Sequence, residues 1–219
     1  RCSEDRANSP LYPVIRLLWN VLRWSRDDAD DVRLGKLVAF CEHYGLSSAE
    51  AVPLLASLLS LPPSPRFPAP RMSPELQKQR TLSTLASAAL AVAAEQPVQA
   101  VVEDLHWIDP TTRELLTLIV EQVPTARMLV LLTARFQFQP PWPLHSHFTP
   151  VVLTRLTRRQ ASEMASRVAH AQTLGADVIA RIVARADGVP LYIEELTKMV
   201  LEAGLLREEA GEVGRVRAA

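Results

Sequence analysis

No G-x-x-x-x-G-K-[ST] run occurs in these 219 residues. That motif supplies a nucleotide's phosphates with backbone N–H donors, a Lys and a Mg²⁺-binding hydroxyl. The Gly-Lys pair Gly35-Lys36 is followed by Leu37, has no glycine at the required spacing before it and sits in a helical context. G-x-G-x-x-G and G-x-S-x-G are missing too, which removes the dinucleotide and hydrolase readings. Cysteine is nearly absent: Cys2 and Cys41 are too few for a disulfide framework or a metal set, so a reducing cytoplasm is the expected setting. Neither sign of charge prevails, with 24 basic and 24 acidic residues, and no electrostatic case exists for nucleic acid or an anionic membrane. There is no apolar run of bilayer length, no signal peptide and no internal repeat. The chain opens on Arg rather than Met and is expected to be a fragment of a longer protein.

What is present centres on Pro97-Val98-Gln99-Ala100-Val101-Val102-Glu103-Asp104-Leu105-His106-Trp107-Ile108-Asp109-Pro110. A nearly unbroken apolar run with β-branched Val98, Val101 and Val102 predicts a strand buried on both faces of a parallel sheet. Asp109 suits a helix N-cap and Pro110 the first helical position. Glu103 and Asp104 then stand where strand ends open into a crevice, the usual ligand position of open α/β folds. Two acids there suit holding Mg²⁺ and orienting a water; a pair of solvated loop acids is the alternative.

The flanking chain reads as follows. Ser9-Pro10 predicts a helix start, with Leu11, Val14, Ile15, Leu18 and Leu22 on its buried face. A second helix is expected from Asp30 to Tyr44 with Gly45 as its stop, and Ser47-Ser48-Ala49-Glu50 as a capping box opens a third through Leu59. Residues 1–61 thus form a helical N-terminal part, resembling an inserted subdomain. Six prolines between Pro62 and Pro74 predict an extended connector, residues 62–73. A long Ala-rich helix from Ser73-Pro74 to Glu95 is expected to pack closely on the sheet. After the acids come a helix from Pro110 to Gln122, a second strand from Met128 to Thr133, and a third strand from Pro150 to Leu153. The rest is helical: Thr157 to His170 behind the capping box Thr157-Arg158-Arg159-Gln160, Asp177 to Ala186, and Leu191 to Ala203 with Gly204 as stop. Residues 74–156 form an α/β core, 157–204 a helical C-terminal part and 205–219 a tail or linker.

Arg135 follows the second strand by two residues and emerges at the edge that carries Glu103 and Asp104. Its guanidinium suits a terminal phosphate; pairing with one of those acids is the competing reading. Gly188-Val189-Pro190 is explained as well by a helix stop and a helix start. His145-Ser146-His147 lacks a third metal ligand. His106 reads as a packed loop residue and Trp107 as an anchor of the loop in the core. Arg155, Arg158 and Arg159 are too few to indicate nucleic acid.

Taken in order, Val101-Val102-Glu103-Asp104-Leu105-His106-Trp107-Ile108-Asp109-Pro110, Leu131-Leu132-Thr133-Ala134-Arg135 and Asp187-Gly188-Val189-Pro190-Leu191-Tyr192-Ile193-Glu194-Glu195-Leu196 resemble the STAND branch of AAA-like P-loop ATPases. The likeness is strongest to the ATPase module of bacterial multidomain adenylate/guanylate cyclases and large LuxR-type regulators. It implies a parallel P-loop sheet flanked by helices, with ATP and Mg²⁺ as ligands. Glu103 corresponds to the Mg²⁺-side Walker B acid, Asp104 to the water-activating one and Arg135 to the sensor arginine. Thr133, Gly188 and Pro190 become nucleotide contacts, the last two in the GxP turn of the lid near the adenine. The phosphate loop is then expected upstream of Cys2. Cyclase, helical-repeat or DNA-binding domains of the same polypeptide are the implied partners. The resulting expectation is an ATP-binding and ATP-hydrolysing regulatory switch, with a non-catalytic scaffold of the same fold as the alternative.

Overall fold

Two parallel strands, β1 (Val98–Val102) and β2 (Met128–Leu132), pair in register from Val98 opposite Met128 to Val102 opposite Leu132. The computed structural model describes residues 2–6, 9–142, 147–169 and 174–216, with side chains through Ala203. His145, Ser146 and His170, named above, lie outside the described residues. The chain is a mixed α/β protein that divides into two units, Arg1–Phe148 and Thr149–Ala219.

In the first unit, four helices precede the sheet: α1 (Tyr12–Val21), α2 (Asp30–His43), α3 (Ser48–Leu58) and α4 (Pro74–Glu95). A fifth, α5 (Pro110–Gln122), joins β1 to β2 as the crossover that parallel strands require. Leu18, Leu37, Cys41, Leu55, Leu82, Leu85 and Leu115 belong to one buried cluster, so α1 to α5 share a core. Phe67 anchors the proline-rich connector in that core, while residues 61–73 carry no helix or strand. The small side chains of α4 bring it close to α3 and α5, its main neighbours, rather than to the sheet.

Several local expectations need correction. The sheet is not buried on both faces: Val98, Ala100 and Val102 are half-buried, whereas Val101 and Leu131 are 48% exposed and Leu129 62%. Among the described residues one face is covered, with Val102 and Leu132 packing on the cluster of Leu105, Leu116, Val120 and Trp142. Pro150 to Leu153 forms no strand, and Val151, Val152 and Leu153 are exposed. An apolar run becomes a strand only where a neighbouring edge offers its ladder. The Ser47 side chain makes no capping bond on α3, so that capping box is not formed. Helix α1 begins at Tyr12 instead of Pro10, because Leu11 adopts a left-handed backbone (φ 56°).

The second unit consists of α6 (Arg158–Val168), α7 (Ala176–Ala186) and α8 (Pro190–Val216), around Ala161, Ala165, Ile182, Val183, Ala186 and Ile193. Thr157 and Gln160 complete the expected capping box on α6, each side chain accepting the other's backbone N–H. Helix α8 does not stop at Gly204. A glycine inside a helix costs only about 1 kcal/mol against Ala, and the residues after it, Leu205, Leu206, Arg207, Glu208, Glu209 and Ala210, are strong helix formers. Among the described residues no helix is long and apolar enough to cross a membrane.

Candidate functional site at the strand exits

Parallel pairing in register brings the C-terminal ends of β1 and β2 side by side, so Glu103 and Thr133 leave the sheet at one edge. Three hydrogen bonds hold the two exits together. Thr133 N–H donates to Val102 O (3.0 Å), Leu105 N–H to Thr133 O (2.9 Å), and Asp104 N–H to the Thr133 hydroxyl (3.3 Å). The Glu103 carbonyl also accepts from Cys2 N–H (2.9 Å), which ties the start of the chain to the same place.

Asp104 takes a left-handed backbone (φ 60°, ψ 46°), an uncommon conformation for a side chain other than Gly, Asn or Asp. It turns the chain into a short 3₁₀ turn, Leu105–Trp107, closed by Trp107 N–H to Asp104 O (2.9 Å). Leu105 pins this turn by entering the cluster with Leu116, Val120 and Trp142. Glu103 is exposed and Asp104 half-buried, both on a firmly held backbone.

Asp109 closes the segment from below. It is 3% exposed; one carboxylate oxygen accepts Thr112 N–H (2.9 Å) as the N-cap of α5, and also Leu11 N–H (3.3 Å). The other oxygen accepts the Thr112 hydroxyl. This carboxylate therefore satisfies donors at the starts of two helices, which accounts for the left-handed Leu11 and the late start of α1. The bond to Leu11 spans 98 positions and has no sequence signal.

Arg135, three residues beyond the end of β2, lies with its guanidinium carbon 5.9 Å from the centre of the Trp107 ring, within cation–π range. It makes no ion pair among the described residues. At exposed sites a cation–π contact is worth about 0.5–1 kcal/mol, and a surface salt bridge about 0–1 kcal/mol. The aromatic contact is thus able to compete for Arg135 with the neighbouring carboxylates. Trp107 was expected only to anchor the loop. An aromatic three residues past the acid, paired with an Arg just past the neighbouring parallel strand, was the signal available for this contact. His106 packs beside Trp107 (centroids 5.2 Å apart), with both ring nitrogens buried and unbonded among the described residues.

Glu103, Asp104, Thr133 and Arg135 are therefore neighbours at one sheet edge. Their donor set, two carboxylates and a hydroxyl nearby, fits a hard cation that keeps most of its waters, as Mg²⁺ does. It does not fit a site closed by protein alone, and no group of three or more His, Cys, Asp or Glu able to hold a metal occurs among the described residues. Burial raises the Cys2 thiol, and pushes that of Cys41 up to about 11.

Gly188 and Pro190 belong to the second unit. Asp187 (φ 48°) and Gly188 (φ 71°) are both left-handed and end α7, and Pro190 opens α8. Gly188 O accepts Leu156 N–H (2.8 Å). A Cβ on Gly188 would meet Leu156 O at 2.5 Å and Arg155 Cβ at 3.1 Å. Arg155 in turn forms an ion pair with Asp187 and donates to its carbonyl. The turn thus fastens the segment before α6 to the α7–α8 corner, and backbone contact accounts for its glycine.

Among curated proteins, the chain is similar to an uncharacterized protein, R02095, of Rhizobium meliloti (strain 1021), with 26% identity over 207 residues. That match takes in 91% of this chain but 19% of the relative, so the chain corresponds to a small part of a much longer polypeptide there. No family model matches the chain, and no solved structure matches it significantly.

Proposed function

We propose that this chain is the acidic-strand, sensor and lid portion of a P-loop regulatory ATPase that works as a nucleotide-dependent switch. The observation that carries the reading is the pairing of β1 with β2, which gathers Glu103, Asp104, Thr133 and Arg135 at one edge. Resemblance of the three motifs, in order, to STAND ATPases supports it.

In this reading Asp104 accepts a proton from the attacking water, as a carboxylate near solvent is able to do. Glu103 supplies the cation-side carboxylate. Thr133 holds Asp104's backbone through its hydroxyl and so fixes where that carboxylate starts. Arg135 contacts the terminal phosphate, where its planar fork gives paired hydrogen bonds. By the same resemblance, Gly188 and Pro190 correspond to the turn near the adenine. Bound Mg²⁺ would neutralise charge on the phosphate oxygens. Cyclase, helical-repeat or DNA-binding domains of the same polypeptide would receive the switch signal.

The reading needs a phosphate loop, which these 219 residues do not contain. Without one, Glu103 and Asp104 present two negative charges to a tetraanionic ligand, and one or two carboxylates hold Mg²⁺ only weakly. Calorimetric titration with Mg·ATP tests this on two proteins: the 219-residue chain, and a parent polypeptide in which a phosphate loop precedes Cys2. The short chain is expected to bind very weakly and hydrolyse none, and the parent to bind tightly and turn over slowly. Tight binding by the short chain would mean that other residues hold the phosphates. A parent that binds no nucleotide would favour the scaffold.

A further inference from the structure

We infer that Trp107 is a positioning residue for Arg135, holding the guanidinium clear of Glu103 and Asp104 so that it remains available to a terminal phosphate. The inference rests on the nucleotide reading of the strand exits and adds a residue to which that reading gives no role.

Arg135 is exposed and sits on the chain two residues past Thr133, whose hydroxyl bonds the backbone of Asp104, the residue next to Glu103. An exposed arginine in that position would ordinarily be drawn to the acids, which would neutralise both partners and leave no free cation for an anionic ligand. Instead the guanidinium carbon lies 5.9 Å from the Trp107 ring centre. The ring is well placed to hold it there. Trp107 is half-buried, its backbone N–H is bonded to Asp104 O, and the turn it ends is fixed at Leu105 by both a core contact and a bond to Thr133 O. The ring and the arginine thus hang from two strand exits that are already locked together. A flat aromatic face attracts the cation but leaves its edge N–H groups unspent, since the face offers no acceptor atoms. A carboxylate would consume those same donors. Tryptophan has the strongest such face among the side chains, and leucine, though also apolar, has none.

The test uses the parent polypeptide, with Mg·ATP and Mg·ADP as probes in equilibrium titrations. Trp107→Leu is expected to lower the preference for ATP over ADP by about three- to fivefold, while Trp107→Phe keeps most of it because a ring face is retained. In an Arg135→Ala background, Trp107→Leu should change the preference no further. Should Trp107→Leu fold poorly, 5-fluorotryptophan labelling gives a second readout: the Trp107 resonance, assigned through Trp107→Phe, should shift in Arg135→Ala. Normal binding with an unchanged preference in Trp107→Leu overturns this inference alone, as does a Trp107 resonance that ignores Arg135. Failure of the unaltered parent to bind either nucleotide overturns the nucleotide reading, and this inference with it.

Discussion

Asp104 in the first unit and Gly188 in the second both hold left-handed backbone beside an expected nucleotide contact, but different forces keep them there. At Gly188 steric contact is a sufficient cause: a single added carbon would meet the Leu156 carbonyl at 2.5 Å. At Asp104 the main-chain bonds alone do not demand an acid. Its N–H bonds Thr133 and its carbonyl bonds Trp107, both through the main chain, and asparagine or glycine would satisfy the same geometry. The backbone role of Asp104 is thus open to other residues, and Asp104 stands beside a second acid, Glu103, at the strand exits. Sequence motifs alone give the two positions equal standing; the contacts around them separate a structural corner from a candidate reactive one.

The largest expected effect sharpens that contrast. Gly188→Ala should lower the stability of the second unit by about 3 kcal/mol, combining left-handed strain with a clash against backbone. Thermal melting checks it, and a loss below about 1 kcal/mol would mean that the corner yields easily. Asp109→Ala comes next, at about 2 kcal/mol, because the variant removes a buried cap and leaves Leu11 N–H and Thr112 N–H without their acceptor. Asp109→Asn should recover part of that loss, since its oxygen still accepts. Pro190→Ala is expected to change melting by less than about 1 kcal/mol, as Pro190 is exposed at the first position of α8, and to act on nucleotide affinity instead. A large loss of stability without nucleotide would make the whole turn structural.

The smallest effect concerns Asp28. Its carboxyl is held below the usual range by the Lys36 ammonium at 2.6 Å and then by Ser25 N–H. A group lowered in the folded state stabilises above its unfolded value and loses that contribution as pH falls through the lowered one. The melting temperatures of the parent and Asp28→Asn should therefore differ at neutral pH and converge in acid. A gap independent of pH would contradict the assignment.

Much of the helical punctuation was legible, because caps act over three or four residues. Asp109-Pro110, Ser73-Pro74 and Thr157 through Gln160 each mark a helix start that forms where local chemistry places it. The start of α1 was not legible: its first residue depends on Asp109, 98 positions away. The segment Pro150 to Leu153 has a strand's composition but no strand's hydrogen bonds, since pairing depends on what lies alongside and not on the run itself. Similarly, the apolar β1 and β2 promised two covered faces, while among the described residues one, the face on Leu105, Leu116 and Val120, is covered. At the candidate site, the positions of Glu103, Asp104 and Arg135 followed from strand ends alone. The Thr133 hydroxyl bond and the ring beneath Arg135 did not, because both join segments about thirty positions apart.

The claim that Asp104 serves chemistry and not packing is tested most directly in the parent polypeptide by Asp104→Asn, which removes the base and almost no volume. Single-turnover hydrolysis of Mg·ATP should fall about a hundredfold or more, with nucleotide affinity and melting temperature nearly unchanged. Hydrolysis at the unaltered rate, or a loss of activity that merely follows a loss of folding, would contradict it.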